Sequence, residues 1–218
     1  MQTAWNTTDI EAAVTSNAPM RTDEQDIARL LFRWAHARDY EDWDALAACF
    51  HGDATIHIAW ISGSAKDYVV KSREQVRNKA PGAHAKHIVS APMIEVLSDR
   101  ATSICHATLH VRRMVGGVEA DIESFMRFFD LLERREGRWA IVKRTGVYEK
   151  DRLTAVDPKG FPAGFWDGID LAQFPPAKRF LCFAQVKNGS KPNVNFISVD
   201  SPEEKLLYAD ARRWLSGV

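Results

Sequence analysis

The chain has 218 residues, 45% of them apolar and 27% charged, which suits a single soluble domain with or without an appendage and disfavours a second full domain. Twenty-nine Lys and Arg balance 29 Asp and Glu, so no uncompensated basic surface is expected for nucleic acid or an anionic membrane. No stretch has the length of a membrane helix, residues 1–20 lack a signal-peptide pattern, and Cys49, Cys105 and Cys182 are too scattered for a disulfide framework or a thiolate zinc site. A cytoplasmic protein with inert buried thiols is the expectation.

After a polar leader over residues 1–21, Thr22 and Gln25 form a capping-box signature ahead of Ile27, Leu30, Leu31, Trp34 and Ala35, whose spacing predicts an amphipathic helix. A shorter helix fits Asp42 to Phe50, with Gly52 as its stop. Ala54 to Ile61 reads as a strand closed by Ser62, Gly63 and Ser64, and Ser72 and Gln75 open a third helix around Val76. Strands follow over Lys86 to Leu97, Ala101 to Val115, Val118 to Arg135 and Arg138 to Tyr148, separated by tight turns such as Gly116-Gly117. Helices followed by an antiparallel meander define an α+β class, here a curved sheet closed by helices around a cone-shaped space over residues 22–150.

From Asp151 onward Pro158, Pro162, Pro175 and Pro176 lie among Phe161, Phe165, Trp166 and Phe174. That composition reads as an aromatic segment laid over a surface. Arg179 to Val186 and Asn193 to Val199 are expected to form a hairpin, and Ser201 and Glu204 to open a last helix. The extension over 151–218 is expected to cover the barrel or a neighbouring subunit, as a lid or as a strap between subunits.

The segment from Phe32 to Leu46, followed by Phe50 and the strand start Asp53-Ala54-Thr55-Ile56, resembles the opening of the SnoaL-like families within the nuclear transport factor 2-like superfamily. It is most similar to scytalone dehydratase and hexachlorocyclohexane dehydrochlorinase, over about residues 22–150. The resemblance implies a catalytic Asp at Asp39, a catalytic His at His87 and, through the closing segment Arg134 to Arg144, a catalytic Arg at Arg144. It implies a cofactor-independent lyase acting on a small aromatic compound, by elimination of water or by release of formaldehyde from a hydroxymethyl group. An isomerase or cyclase, or a binding subunit without chemistry, are the alternatives, since the superfamily holds all of them. Trp34 stands where the dehydrochlorinase has a lysine, and Ile58 where the dehydratase has a tyrosine.

On the residues alone, a carboxylate bonded to one imidazole nitrogen makes the other a better base. The competing reading leaves Asp39 as a helix-end acid and His87 as a satisfied core residue. Alternation along the last strand places Arg144 on one side with Ala140 and Val142, either paired to an acid or facing a ligand anion. Trp34, Ile58, Trp60, Phe128 and Tyr148 would line an aromatic pocket. His110 belongs there too or, in the other register, to a subunit interface. The spacing of His84, His87, His106 and His110 is not diagnostic, so no metal is expected, and no glycine-rich or nucleophile-elbow motif calls for a cofactor. An apolar outer sheet face leads to the expectation of a homo-oligomer, a dimer or trimer.

Overall fold

The computed structural model describes residues 21–77 and 83–217, so the expected leader lies almost wholly outside the described residues. Helix α1 (Asp23–Asp39) begins at the capping box: the Gln25 N–H donates to Thr22 Oγ1 at 3.2 Å and the Thr22 N–H to Gln25 Oε1 at 3.1 Å. Asp42 accepts from the Ala45 N–H at 3.0 Å and caps α2 (Trp43–Ala48). Strand β1 (Phe50–Ile58) starts earlier than expected, and the segment read as its closing turn forms β2 (Ile61–Ser64), antiparallel to it. Helix α3 (Ala65–Arg77) begins well before Ser72, because Ser64 Oγ accepts from the Asp67 N–H at 3.0 Å.

The strand expected over Lys86 to Leu97 is two, β3 (His84–Val89) and β4 (Met93–Leu97), which pair with successive parts of β5 (Arg100–Val115). Long antiparallel ladders join β5 to β6 (Val118–Arg135) and β6 to β7 (Arg138–Ala155). The sheet runs β2-β1-β7-β6-β5-β3, with β1 parallel to β7. Gly116 and Gly117 have φ of +54° and +82°, the left-handed pair that a two-residue turn between β5 and β6 requires.

Two bulges decide which side chains of β7 face the helices. Leu132 pairs with Ile141 but Leu131 with Lys143, and Met126 pairs with Tyr148 but Phe125 with Lys150. Val142 and Glu149 are the extra residues, and each bulge curves the strand. Val142 therefore packs outward while Ile141 packs in the core. This corrects the alternation drawn from sequence: Arg144 shares its face with Ile141, not with Ala140 and Val142. The inner face then carries cross-strand pairs of Asp130 with Arg144, Phe128 with Gly146, Met126 with Tyr148 and Ser124 with Asp151.

The extension departs from expectation. β7 does not end at Tyr148 but runs to Ala155, and Arg179 to Val186 is helix α4 (Arg179–Lys187) rather than a hairpin strand. The alternation Phe180, Cys182, Ala184, Val186 imitates a strand, but the Asp151 carboxylate accepts from the Leu181 N–H at 2.6 Å and fixes a helix start. β8 (Ile197–Ser198) is a short parallel addition to β7. Helix α4 and the aromatic segment cover the inner face beyond the barrel, over Val115, Ala120, Ile122 and Leu153. Helix α5 (Pro202–Ser216) crosses to the outer face, packing Leu207, Ala211 and Trp214 with Phe129 and Leu131. Ile88, Met93 and Leu97 of β3 and β4 stay exposed there. Among the described residues no helix is long and apolar enough to cross a membrane.

Candidate active site

Asp39 is the last residue of α1, where the negative pole of the helix disfavours an acid. His87 on β3 accounts for it. Asp39 Oδ1 lies 2.7 Å from His87 Nδ1, and Asp39 Oδ2 accepts the backbone N–H of His87, also at 2.7 Å. One carboxylate thus holds both the ring and the strand that carries it. An ionised carboxylate only accepts, so Nδ1 carries the hydrogen, and in the neutral imidazole Nε2 then keeps its lone pair. The side chains are 13% and 6% exposed, sheltered but not sealed.

Trp34, one turn and a half earlier on α1, stands edge-on to His87 at 5.4 Å and to Phe128 at 5.1 Å. Its indole also stacks with Tyr68 at 6.3 Å, and Trp60 leans on Tyr68 at 5.6 Å. Arg144 lies over this group, its Cζ 4.1 Å from the Trp34 ring centre and 4.6 Å from that of Phe128. Its Nε and Nη2 donate to the two oxygens of Asp130 at 2.7 Å each, in a pair only 1% and 0% exposed. Burial alone would lower the Arg144 pKa, but Asp130 more than offsets it and the net shift is upward. The guanidinium is a permanent cation inside an aromatic chamber.

Ile58 and Tyr148 meet at Gly146, where a Cβ would fall 3.2 Å from the Tyr148 ring and 3.4 Å from Ile58 Cγ2, so a glycine makes room for that ring. The Tyr148 hydroxyl accepts from the Ala59 N–H at 2.9 Å, and burial pushes its pKa up. His110 is a correction. Leu109, the partner of His87 across β3 and β5, packs in the core, whereas His110 faces the opposite side and lies 3.3 Å from Glu123. His84 and His106 share its face, since even-numbered residues of these strands point outward, so the sheet separates His87 from the other three. Among the described residues no group of three potential ligands gathers around a metal position.

Sequence reasoning missed Tyr68 and Asp130. Tyr68 is 1% exposed, and burial raises its pKa to about 12 against the pull of the Arg38 and Arg144 charges. It fell outside the expected third helix; Ser64 three residues before Asp67 was the available cap signal. Asp130, a lone acid within Phe128-Phe129-Asp130-Leu131-Leu132, called for a cation across the strand. Burial also raises the Cys49 and Cys105 thiols to about 11, which keeps them protonated. Two recesses lie elsewhere: about 770 Å³ beside Gly117 and Phe161, and about 350 Å³ beside Trp43 and Arg77 near the end of α1.

Helices closing the concave face of a curved sheet, with an Asp-His pair at the end of the first helix, make a cone-shaped α+β fold. The sequence profile of the SnoaL-like domain matches residues 19–145, more than half of the chain, and the protein belongs to that family. It is 29% identical to pea pathogenicity protein 2 of Fusarium vanettenii, with 94% of this chain and 92% of the relative covered. An uncharacterized protein of Emericella nidulans is 27% identical over 95% of this chain and 92% of its own. Among solved structures, a candidate scytalone dehydratase from Novosphingobium aromaticivorans superposes with a TM-score of 0.50 at 19% identity, covering 66% of this chain and 90% of that one. A candidate aromatic ring hydroxylase from the same organism gives 0.51 at 18%, covering 64% and 96%. At these identities the superpositions establish the fold, and each leaves about a third of this chain unmatched.

Proposed function

We propose that the protein is a cofactor-independent lyase acting on a small aromatic compound, with His87 as general base, Asp39 as its orienting partner and Arg144 as electrostatic stabiliser. The observation that carries this reading is the double grip of Asp39 on His87, which leaves Nε2 as an acceptor beside aromatic walls. In a dehydration, Nε2 takes a proton from carbon, the freed pair forms the new π bond, and the imidazolium returns the proton to the departing hydroxide as water. Release of formaldehyde uses the same base on a hydroxymethyl O–H: the C–C bond breaks as the C=O forms, and the proton returns to the ring carbon. An isomerisation differs only in returning the proton to another carbon, and it is the second reading that this dyad favours over pure binding.

Incubating the protein with hydroxylated and hydroxymethylated bicyclic phenols, and following product by mass, tests the proposal. Turnover of at least one such compound is the expected result, with a loss of about 100-fold or more in His87→Ala. Tight binding of such compounds with neither a mass change nor a chromatographically separable isomer from any of them would instead make the chamber a carrier site.

A further inference from the structure

Two nitrogen atoms in the chamber have no hydrogen-bond partner although they are buried: Trp34 Nε1 and Arg144 Nη1. They belong to side chains in direct contact, since the Arg144 guanidinium lies over the Trp34 ring. A buried donor without a partner has lost its hydration and gained nothing in return, and such groups are uncommon in native interiors. Asp130 does not relieve the deficit: it occupies Nε and Nη2 and accepts a third bond from Ser103 Oγ at 3.3 Å. Its geometry fixes the guanidinium so that Nη1 is the nitrogen left over.

We propose that Trp34 Nε1 and Arg144 Nη1 form a two-donor site for an ionised oxygen of the ligand, which makes the ligand class a planar, acidic phenol or enol. The inference rests on reading this chamber as the substrate site, but not on which bond breaks there. Both groups can only donate, so what they receive is an acceptor. A protonated phenol would need its own O–H accepted, and neither group can do that. The phenolate has no such need and meets a fixed cation in a dry, low-dielectric surrounding, where such an interaction is strongest. Trp34, Phe128 and Tyr68 supply flat apolar walls for the rest of the ring system. Trp34, standing between His87 and Arg144, is then a binding residue on its own account.

The test uses 4-nitrophenol, whose ionised form has its own visible absorbance, added to the full-length protein at a pH where the free probe is mostly protonated. The expected result is a saturable phenolate signal, with the ionisation ratio of the bound probe raised about tenfold or more, one pKa unit. Trp34→Phe, which keeps a ring and removes the N–H, should lose a large part of that rise. Arg144→Lys, which leaves Asp130 a cation but abolishes Nη1, should lose most of it while still unfolding cooperatively. His87→Ala should keep the signal. Absence of a saturable signal in the wild type overturns the proposal, as does a Trp34→Phe protein that ionises the probe as well as the parent. A signal lost in His87→Ala but intact in Trp34→Phe would assign the oxygen to the dyad and overturn the donor pair, leaving the lyase reading in place. Conversely, an intact signal beside undiminished turnover in His87→Ala would remove the dyad and keep this site.

Discussion

At the helix-covered end of the concave face the buried charges meet each other: Asp39 holds His87, Asp130 holds Arg144, and donors are left over between them. At the end covered by the extension the buried charges end on backbone. Asp151 accepts from the Leu181 N–H, and Lys178, 1% exposed, donates to Asn193 O at 3.2 Å while lying 4.6 Å from the Phe196 ring centre. Both ends pay desolvation and both leave buried polar atoms unpartnered, Asp151 Oδ1 and Arg179 Nε among them at the second, but the first places two such donors on the stacked side chains of Trp34 and Arg144. Charge that terminates on backbone builds structure. Charge with an open valence in an aromatic chamber points to a site.

Removing the second end is the severest way to test that division. The extension buries Phe165, Phe174 and Phe183 against Val115, Ala120, Ile122 and Leu153 of the barrel strands. At about 2 kcal/mol per buried aromatic side chain, those rings alone are comparable with the stability of a whole domain. Ending the chain before Gly160 is therefore expected to give an aggregating or unfolded product. A soluble, cooperatively melting truncation with intact turnover would show that the barrel needs no such cover.

The dyad comes next. If Asp39 works through His87, Asp39→Asn and His87→Ala cannot both cost their full amounts in one protein, so the double variant should be about as slow as His87→Ala alone. Kinetics on the four proteins settle it. A double variant whose loss is the product of the two single losses makes the residues independent and dissolves the pairing, whatever the distance between them.

Much of the first end was legible in the sequence because it depends on local signals. The Thr22 capping box sets the phase of α1 and thereby brings Asp39 to the helix end, and the resemblance supplied His87. What failed had non-local causes. The bulge at Val142 exists only against β6, so Arg144 was placed on the correct side with the wrong neighbours. Tyr68 was lost with the start of α3, which a single Ser64 cap determines. His110 depended on a strand register that alternation alone does not fix. In the extension, α4 carries a strand-like alternation and owes its helical start to Asp151, thirty residues away along the chain from Leu181. Local propensity reads poorly where a tertiary contact chooses the element.

The smallest expected effect separates the two ends by pH alone. Burial lowers the Lys178 pKa from 10.5 to about 8, against the opposing pull of Cys182 and Asp151. A lysine whose folded pKa lies below its unfolded one destabilises the folded state wherever both forms are protonated, which is below about pH 8. Between about 8 and 10.5 the unfolded chain binds more protons than the folded one, so this contribution to stability rises with pH across that window. Lys178→Met removes the titration and keeps the apolar stem against Tyr148 and Phe196. Near pH 7 the variant should melt at or above the wild type, even though Asn193 O loses a donor, and the difference should shift in favour of the wild type as the pH approaches 10. Because the group sits at the structural end, turnover should be unaffected at either pH. Parallel melting curves for the two proteins across the whole range would mean that Lys178 is not desolvated in the folded chain. A change in turnover without a change in melting would move it to the chamber and erase the distinction between the two ends.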